Sequence, residues 1–160
     1  MKNYKTIFKV LILVTLFFII YQTSLLYLSG SNLPNFSYKD INNKIVKGSN
    51  LPKLKTLIVF FSTDCNYCTD AINEIKEIGI KRNDINYLFI TEETNLNSIK
   101  KYSKSNKIDE ITSYILIDYK KNFQKDFGLG FSLSIPTILY YNQNGDFVKE
   151  IKDYDELKKI

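Results

Sequence analysis

The stretch "TLIVFFSTDCNYCTDAINEI", Thr56 to Ile75, holds both cysteines of the chain and decides how the rest is read. Its first half, Thr56 to Phe61, is a continuous β-branched and aromatic run, which suits a central strand covered on both faces. In its second half Ala71, Ile72 and Ile75, followed by Ile78 and Gly79, recur at helical spacing. The pattern places Cys65 at a strand-to-helix junction and Cys68 one turn into the helix. The amide N–H groups and dipole at a helix start favour negative charge, so a thiolate is stabilised at Cys65. A residue three positions on faces the same side, so the two sulfurs can close a disulfide. A Cys-x-x-Cys pair at that place in an α/β pattern reads as a redox motif. The alternative is a pair of buried structural cysteines.

Composition narrows the chemistry. The chain of 160 residues has no histidine, which excludes imidazole-based catalysis and every His-ligated metal. Two cysteines alone do not make a zinc site, so no metal is expected. A domain of this size needs no disulfide to stabilise it, and a Cys-x-x-Cys loop is too short to contribute much. The net charge is +5, and Lys2, Lys5 and Lys9 carry three of those charges. The basic balance is therefore poor evidence for nucleic acid. The run "KKYSKSNK", Lys100 to Lys107, reads as a solvated helix face.

Residues 1–31 read as a signal anchor and linker, and 32–160 as one domain. Three lysines precede an apolar stretch that is polar only at Thr15 between Val10 and Tyr21, then breaks at Gln22-Thr23-Ser24 and resumes. Val10 to Leu28 as a helix would span about 28 Å, which predicts a single transmembrane helix. The lysines would stay inside. The domain would then lie outside a bacterial cytoplasmic membrane; secretion after signal cleavage is the alternative. Either reading puts the cysteines in an extracytoplasmic compartment. The Lys-, Asn- and Ile-rich composition hints at an AT-rich bacterial genome.

Around the cysteines the pattern predicts further elements. Phe36–Tyr38 and Lys44–Lys47 form a hairpin turning at Asn42-Asn43. Ile85–Ile90 is a second buried strand, residues 95–105 a helix and Ser113–Asp118 a third strand. Lys120–Gly128 is a short helix stopped by Gly128. Pro136–Tyr141 and Asp146–Ile151 form a hairpin through "NQNG", and Asp153 caps a terminal helix. Strands alternating with helices indicate an α/β sheet covered on both faces. "SIPT", Ser134 to Thr137, puts a proline at the start of an apolar strand, allowed only where its missing N–H does no harm.

Together these residues resemble the thioredoxin superfamily, and within it the membrane-tethered TlpA/ResA-like redoxin branch, from about Leu33 to Ile151. The quoted cysteine segment, "LPNFSYKDINNKIVKGSNL", "SYILIDYKKNFQKDFGL" and "IPTILYYNQNGDFVKEI" carry the resemblance. It implies a thioredoxin-like α/β fold, a central mixed sheet flanked by helices, with an N-terminal hairpin extension. It implies thiol–disulfide exchange with Cys65 as nucleophile and Cys68 as resolving thiol. Pro136 would be cis, and Ile135 would offer its backbone to the substrate chain. No cofactor is implied beyond the cysteine pair. The partners would be protein disulfides and a membrane electron donor.

The departures from that pattern are specific. Asp64 stands where such proteins usually have Trp. Val59 and Ala71 occupy places where relatives carry an acid, and Asn73 replaces a helix-kinking proline. Asp70, Glu92 and Glu93 are the remaining candidates for proton transfer. Peroxiredoxins need a Thr and a Pro where this chain has Ser62 and Ile58. Asp64 adds negative charge beside Cys65, which disfavours a thiolate, and Asn66-Tyr67 adds no positive charge. These features, with Ile135, predict a reductase, serving for example cytochrome c maturation or protein repair. An oxidase or isomerase, or a binding module with an inert disulfide, are the alternatives.

Overall fold

The computed structural model describes residues 2–29, 32–79, 82–112, 114–130 and 133–160. Seven strands form one mixed sheet: β1 (Ser37–Asp40), β2 (Ile45–Lys47), β3 (Lys55–Phe60), β4 (Ile85–Thr91), β5 (Tyr114–Ile117), β6 (Thr137–Tyr141) and β7 (Phe147–Glu150). Their order is β2-β1-β5-β4-β3-β6-β7. Strands β3, β4 and β5 pair in parallel, while β6 and β7 on one side and β1 and β2 on the other pair antiparallel. Helices α2 (Asn66–Gly79) and α3 (Leu96–Asn106) follow β3 and β4, and the one-turn helix α4 (Phe123–Asp126) follows β5.

Side chains alternate across a strand with period two, and β3 shows what that does. Leu57, Val59 and Phe61 point to one face, where they pack with Cys68, Ala71, Ile72 and Ile75 of α2 and Ile99 of α3. Ile58 and Phe60 point to the other, where they pack with Phe36, Tyr38, Phe123 and Phe127. Both faces are dry, which is why the run Thr56–Phe61 shows no polar alternation. The side chain of Ile78, predicted on the same helix face, lies outside the described residues.

Polar groups fix the turns. In the first hairpin Asn43 takes a positive φ of 66°, and the Asp40 carboxylate accepts the N–H groups of Asn42 and Lys44 at 2.8 and 2.7 Å. The buried Asp118 carboxylate accepts the N–H groups of Lys120 and Phe123, which turns the chain from β5 into α4. Asn95 caps α3 by accepting from Asn97 and Ser98, and Gly128 ends the α4 region with φ 64°. The "NQNG" turn needs Gly145 at φ 84°, a conformation costly for other residues. The Tyr141 hydroxyl is fully buried with no hydrogen-bond partner among the described residues, and burial pushes its pKa up.

The expected short terminal helix is present as a 3-10 helix, Tyr154–Lys159, with Asp153 accepting from Asp155 as its cap. Six residues held by one buried apolar side chain, Leu157, suit the tighter turn used in short pieces. The N-terminal segment forms a helix, α1 (Lys2–Ser29), but the expected transmembrane span is not supported. Among the described residues no helix is long and apolar enough to cross a membrane.

Candidate active site

Strand β3 ends at Phe60, and Phe61 is anchored by its N–H to the Ile90 carbonyl of β4 at 2.9 Å. The chain then turns through Ser62–Cys65, with the Cys65 N–H donating to the Ser62 carbonyl at 3.3 Å. Helix α2 begins at the next residue. Cys65 is partly exposed, whereas Cys68 is fully buried against the sheet. The two form a disulfide across a Cα–Cα distance of 5.2 Å. The Cys68 N–H points at Cys65 Sγ, 3.1 Å away. A helix-start N–H aimed at the outer sulfur is the arrangement that stabilises a thiolate there.

The turn before β6 closes the site from the other side. Ile135-Pro136 is a cis peptide, and the Ile135 carbonyl oxygen lies 3.7 Å from Cys65 Sγ. Ile135 is 44% exposed. The buried Thr137 hydroxyl donates to the Ser134 carbonyl and pins the turn. Thus Cys65, Cys68, Ile135 and Pro136, separated by up to 71 positions in the numbering, meet at one end of β3 and β6.

The carboxylates divide. Asp64 and Asp70 are exposed at the rim. Solvent screens such groups, which limits how far Asp64 can act on Cys65. Glu92 is engaged elsewhere, 4.0 Å from Lys121, and Glu93 accepts the Asn95 N–H at 2.8 Å ahead of α3. Ala71 and Val59 line the buried side with no acid. Among the described residues no group of three or more His, Cys, Asp or Glu side chains is placed to hold a metal.

Sequence reasoning passed over Tyr102, Thr69 and Tyr154. Tyr102 of α3 stacks on Phe61 at 5.5 Å, and its hydroxyl meets that of Thr69 at 3.1 Å. Tyr154 reaches back from the terminal turn, its hydroxyl donating to the Tyr67 carbonyl at 3.5 Å. Burial, with Asp70 nearby, raises the pKa of both phenols, so both stay neutral at pH 7. Tyr67 was visible inside the motif; nothing local in the sequence pairs Tyr154 with it.

What this arrangement can do chemically is thiol–disulfide exchange at an outward sulfur backed by a buried one. Comparison with known proteins agrees with that frame. The model of the AhpC/TSA family matches residues 29–149. The chain belongs to the AhpC/TSA family. No curated protein matches it. Among solved structures it is similar to a thiol:disulfide interchange protein from Bacteroides sp., at 17% identity and TM-score 0.66, covering 81% of this chain and 85% of that one. A thioredoxin-family thiol:disulfide interchange protein from Chlorobium tepidum matches at 18% identity and TM-score 0.64, covering 81% and 92%. A secreted Mycobacterium tuberculosis disulfide oxidoreductase homologous to E. coli DsbE matches at 10% identity and TM-score 0.62, covering 78% and 92%. These likenesses establish a thioredoxin-like α/β fold, a mixed sheet flanked by helices, for this redoxin.

Proposed function

We propose that this redoxin is an extracytoplasmic thiol–disulfide oxidoreductase that works as a protein disulfide reductase. The observation that carries the reading is the asymmetry of the pair: Cys65 Sγ faces outward beside the Ile135 backbone, and Cys68 is buried behind it. In the reduced protein the Cys65 thiolate attacks one sulfur of a substrate disulfide. A Cys65–substrate bond forms, the substrate S–S bond breaks, and one substrate thiolate leaves and takes up a proton. The Cys68 thiolate then attacks Cys65 Sγ, which restores the Cys65–Cys68 disulfide and releases the second substrate thiolate. Two electrons have passed from the pair to the substrate. A thiol-bearing donor at the membrane returns them.

The reducing direction is favoured by the surroundings of Cys65. Asn66 and Tyr67 bring no positive charge, and Asp64 brings a negative one, so the thiolate gains less than in an oxidant. The reduction potential of the pair tests this by equilibration against glutathione or dithiothreitol. A value near the roughly −270 mV of thioredoxin is expected, and one near the roughly −120 mV of the strong oxidant DsbA would exclude a reductase.

Placement outside the cytoplasm is favoured by the basic, then apolar, start of α1, whose side chains from Ile7 to Tyr21 are exposed. Such a helix serves as an export signal. In intact cells, a membrane-impermeant maleimide should label Cys65 after mild reduction. Labelling only after cell lysis would place the domain inside.

A further inference from the structure

Beside the disulfide lies a groove of about 360 Å³, walled by Tyr67, Ser134, Ile135, Pro136, Lys152 and Tyr154. Its floor is Ile138 and Ile151, which belong to the core. Tyr67 stands between the two cysteines in sequence and is 74% exposed, and Ile135 carries the carbonyl next to Cys65 Sγ. The opening therefore borders the path of a chain joined to Cys65 and laid along the Ile135 backbone. The Tyr154 hydroxyl bond to the Tyr67 carbonyl ties the terminal turn to α2 and holds the Tyr154 ring beside the Tyr67 backbone. At the mouth Lys152 and Glu150 pair at 3.6 Å, so they offset each other and leave little net charge for an ionic ligand. Two phenol rings, a proline ring and isoleucine side chains suit an uncharged ring, which gains from apolar burial and from edge or offset ring contacts.

We infer that this groove makes the protein selective for extended peptide disulfides carrying an aromatic side chain next to the reacting cysteine. The inference rests on the exchange activity proposed above. Tyr67 and Tyr154 are the specificity-determining residues, and they act on the peptide neighbour of the attacked sulfur and not on the sulfurs.

The test uses the reduced full chain and a set of fluorogenic peptide disulfides differing only in the flanking residue, Phe, Ala or Asp, with glutathione disulfide as a small reference. The Phe peptide should exceed the Ala peptide in kcat/KM by about tenfold, the range one apolar side chain in a pocket supplies. The Asp peptide should fall at or below the Ala peptide. Tyr67→Ala should bring the Phe-to-Ala ratio to within about twofold of one, while Tyr67→Phe, which keeps the ring, should preserve it. Tyr67 is exposed, so its truncation does not threaten the fold; Tyr154→Ala should lower the same ratio. Glutathione disulfide reduced with a wild-type Phe-to-Ala ratio near one would overturn the groove and leave the exchange reading standing. A ratio that survives Tyr67→Ala and Tyr154→Ala would also overturn it. Failure to exchange with every disulfide in the set would overturn both.

Discussion

Cys65→Ser is expected to lose essentially all disulfide exchange, a fall of at least about 10³-fold, because a serine hydroxyl cannot replace the attacking thiolate at neutral pH. Cys68→Ser should behave differently. Its Cys65 still attacks, so the first thiol equivalent is released in a single turnover, but the second step has no thiol. The mixed disulfide then accumulates and multiple turnover stops. The difference follows from the geometry: Cys65 is partly exposed beside Ile135, and Cys68 has no exposed surface. Stopped-flow measurement of thiol release separates the two variants. Equal loss of the first step in both would mean that the sulfurs do not have separate roles.

The second large effect concerns stability. Phe123 is fully buried, stacks on Phe60 with ring centres 4.3 Å apart and packs on Phe127 at 4.5 Å. Phe123→Ala removes both ring contacts and leaves a cavity, which should cost about 3–5 kcal/mol. That is a large part of a domain stability of roughly 5–15 kcal/mol. Chemical denaturation should show a strongly lowered midpoint, and Phe123→Leu, which refills part of the space, should recover some of the loss. Phe123 lies in the core layer opposite the one that holds Cys68. Exchange measured well below the unfolding midpoint should therefore persist. A loss of less than about 1 kcal/mol would show that the layer repacks around the gap.

The sequence made the site's near half legible because strand, turn and helix there are contiguous. The run Thr56–Phe61 suited a strand buried on both faces, and Ala71, Ile72 and Ile75 marked the helix face that covers it. Pro136 was legible as a strand-entry proline, and its place beside Cys65 came from the resemblance. Long-range pairings were a different matter. Nothing local says that β1 pairs antiparallel with β5 and extends the sheet on that side. Nothing local says that Tyr154 donates to Tyr67. Glu92 and Glu93 looked available from sequence, yet Lys121 and the Asn95 N–H engage them. The terminal segment carried a good cap in Asp153, but caps do not distinguish α from 3-10 turns when the segment is six residues long.

The proposed division of roles, Cys65 attacking and Cys68 resolving, can be read from one measurement. Reduced Cys68→Ser protein is mixed with a peptide disulfide, quenched with acid, and weighed intact by mass spectrometry, with the linkage mapped after digestion. One stoichiometric adduct, joined at Cys65 and released by dithiothreitol, is expected. The absence of any adduct, with Cys65 intact and reduced, would contradict that division of roles and leave the pair an inert disulfide.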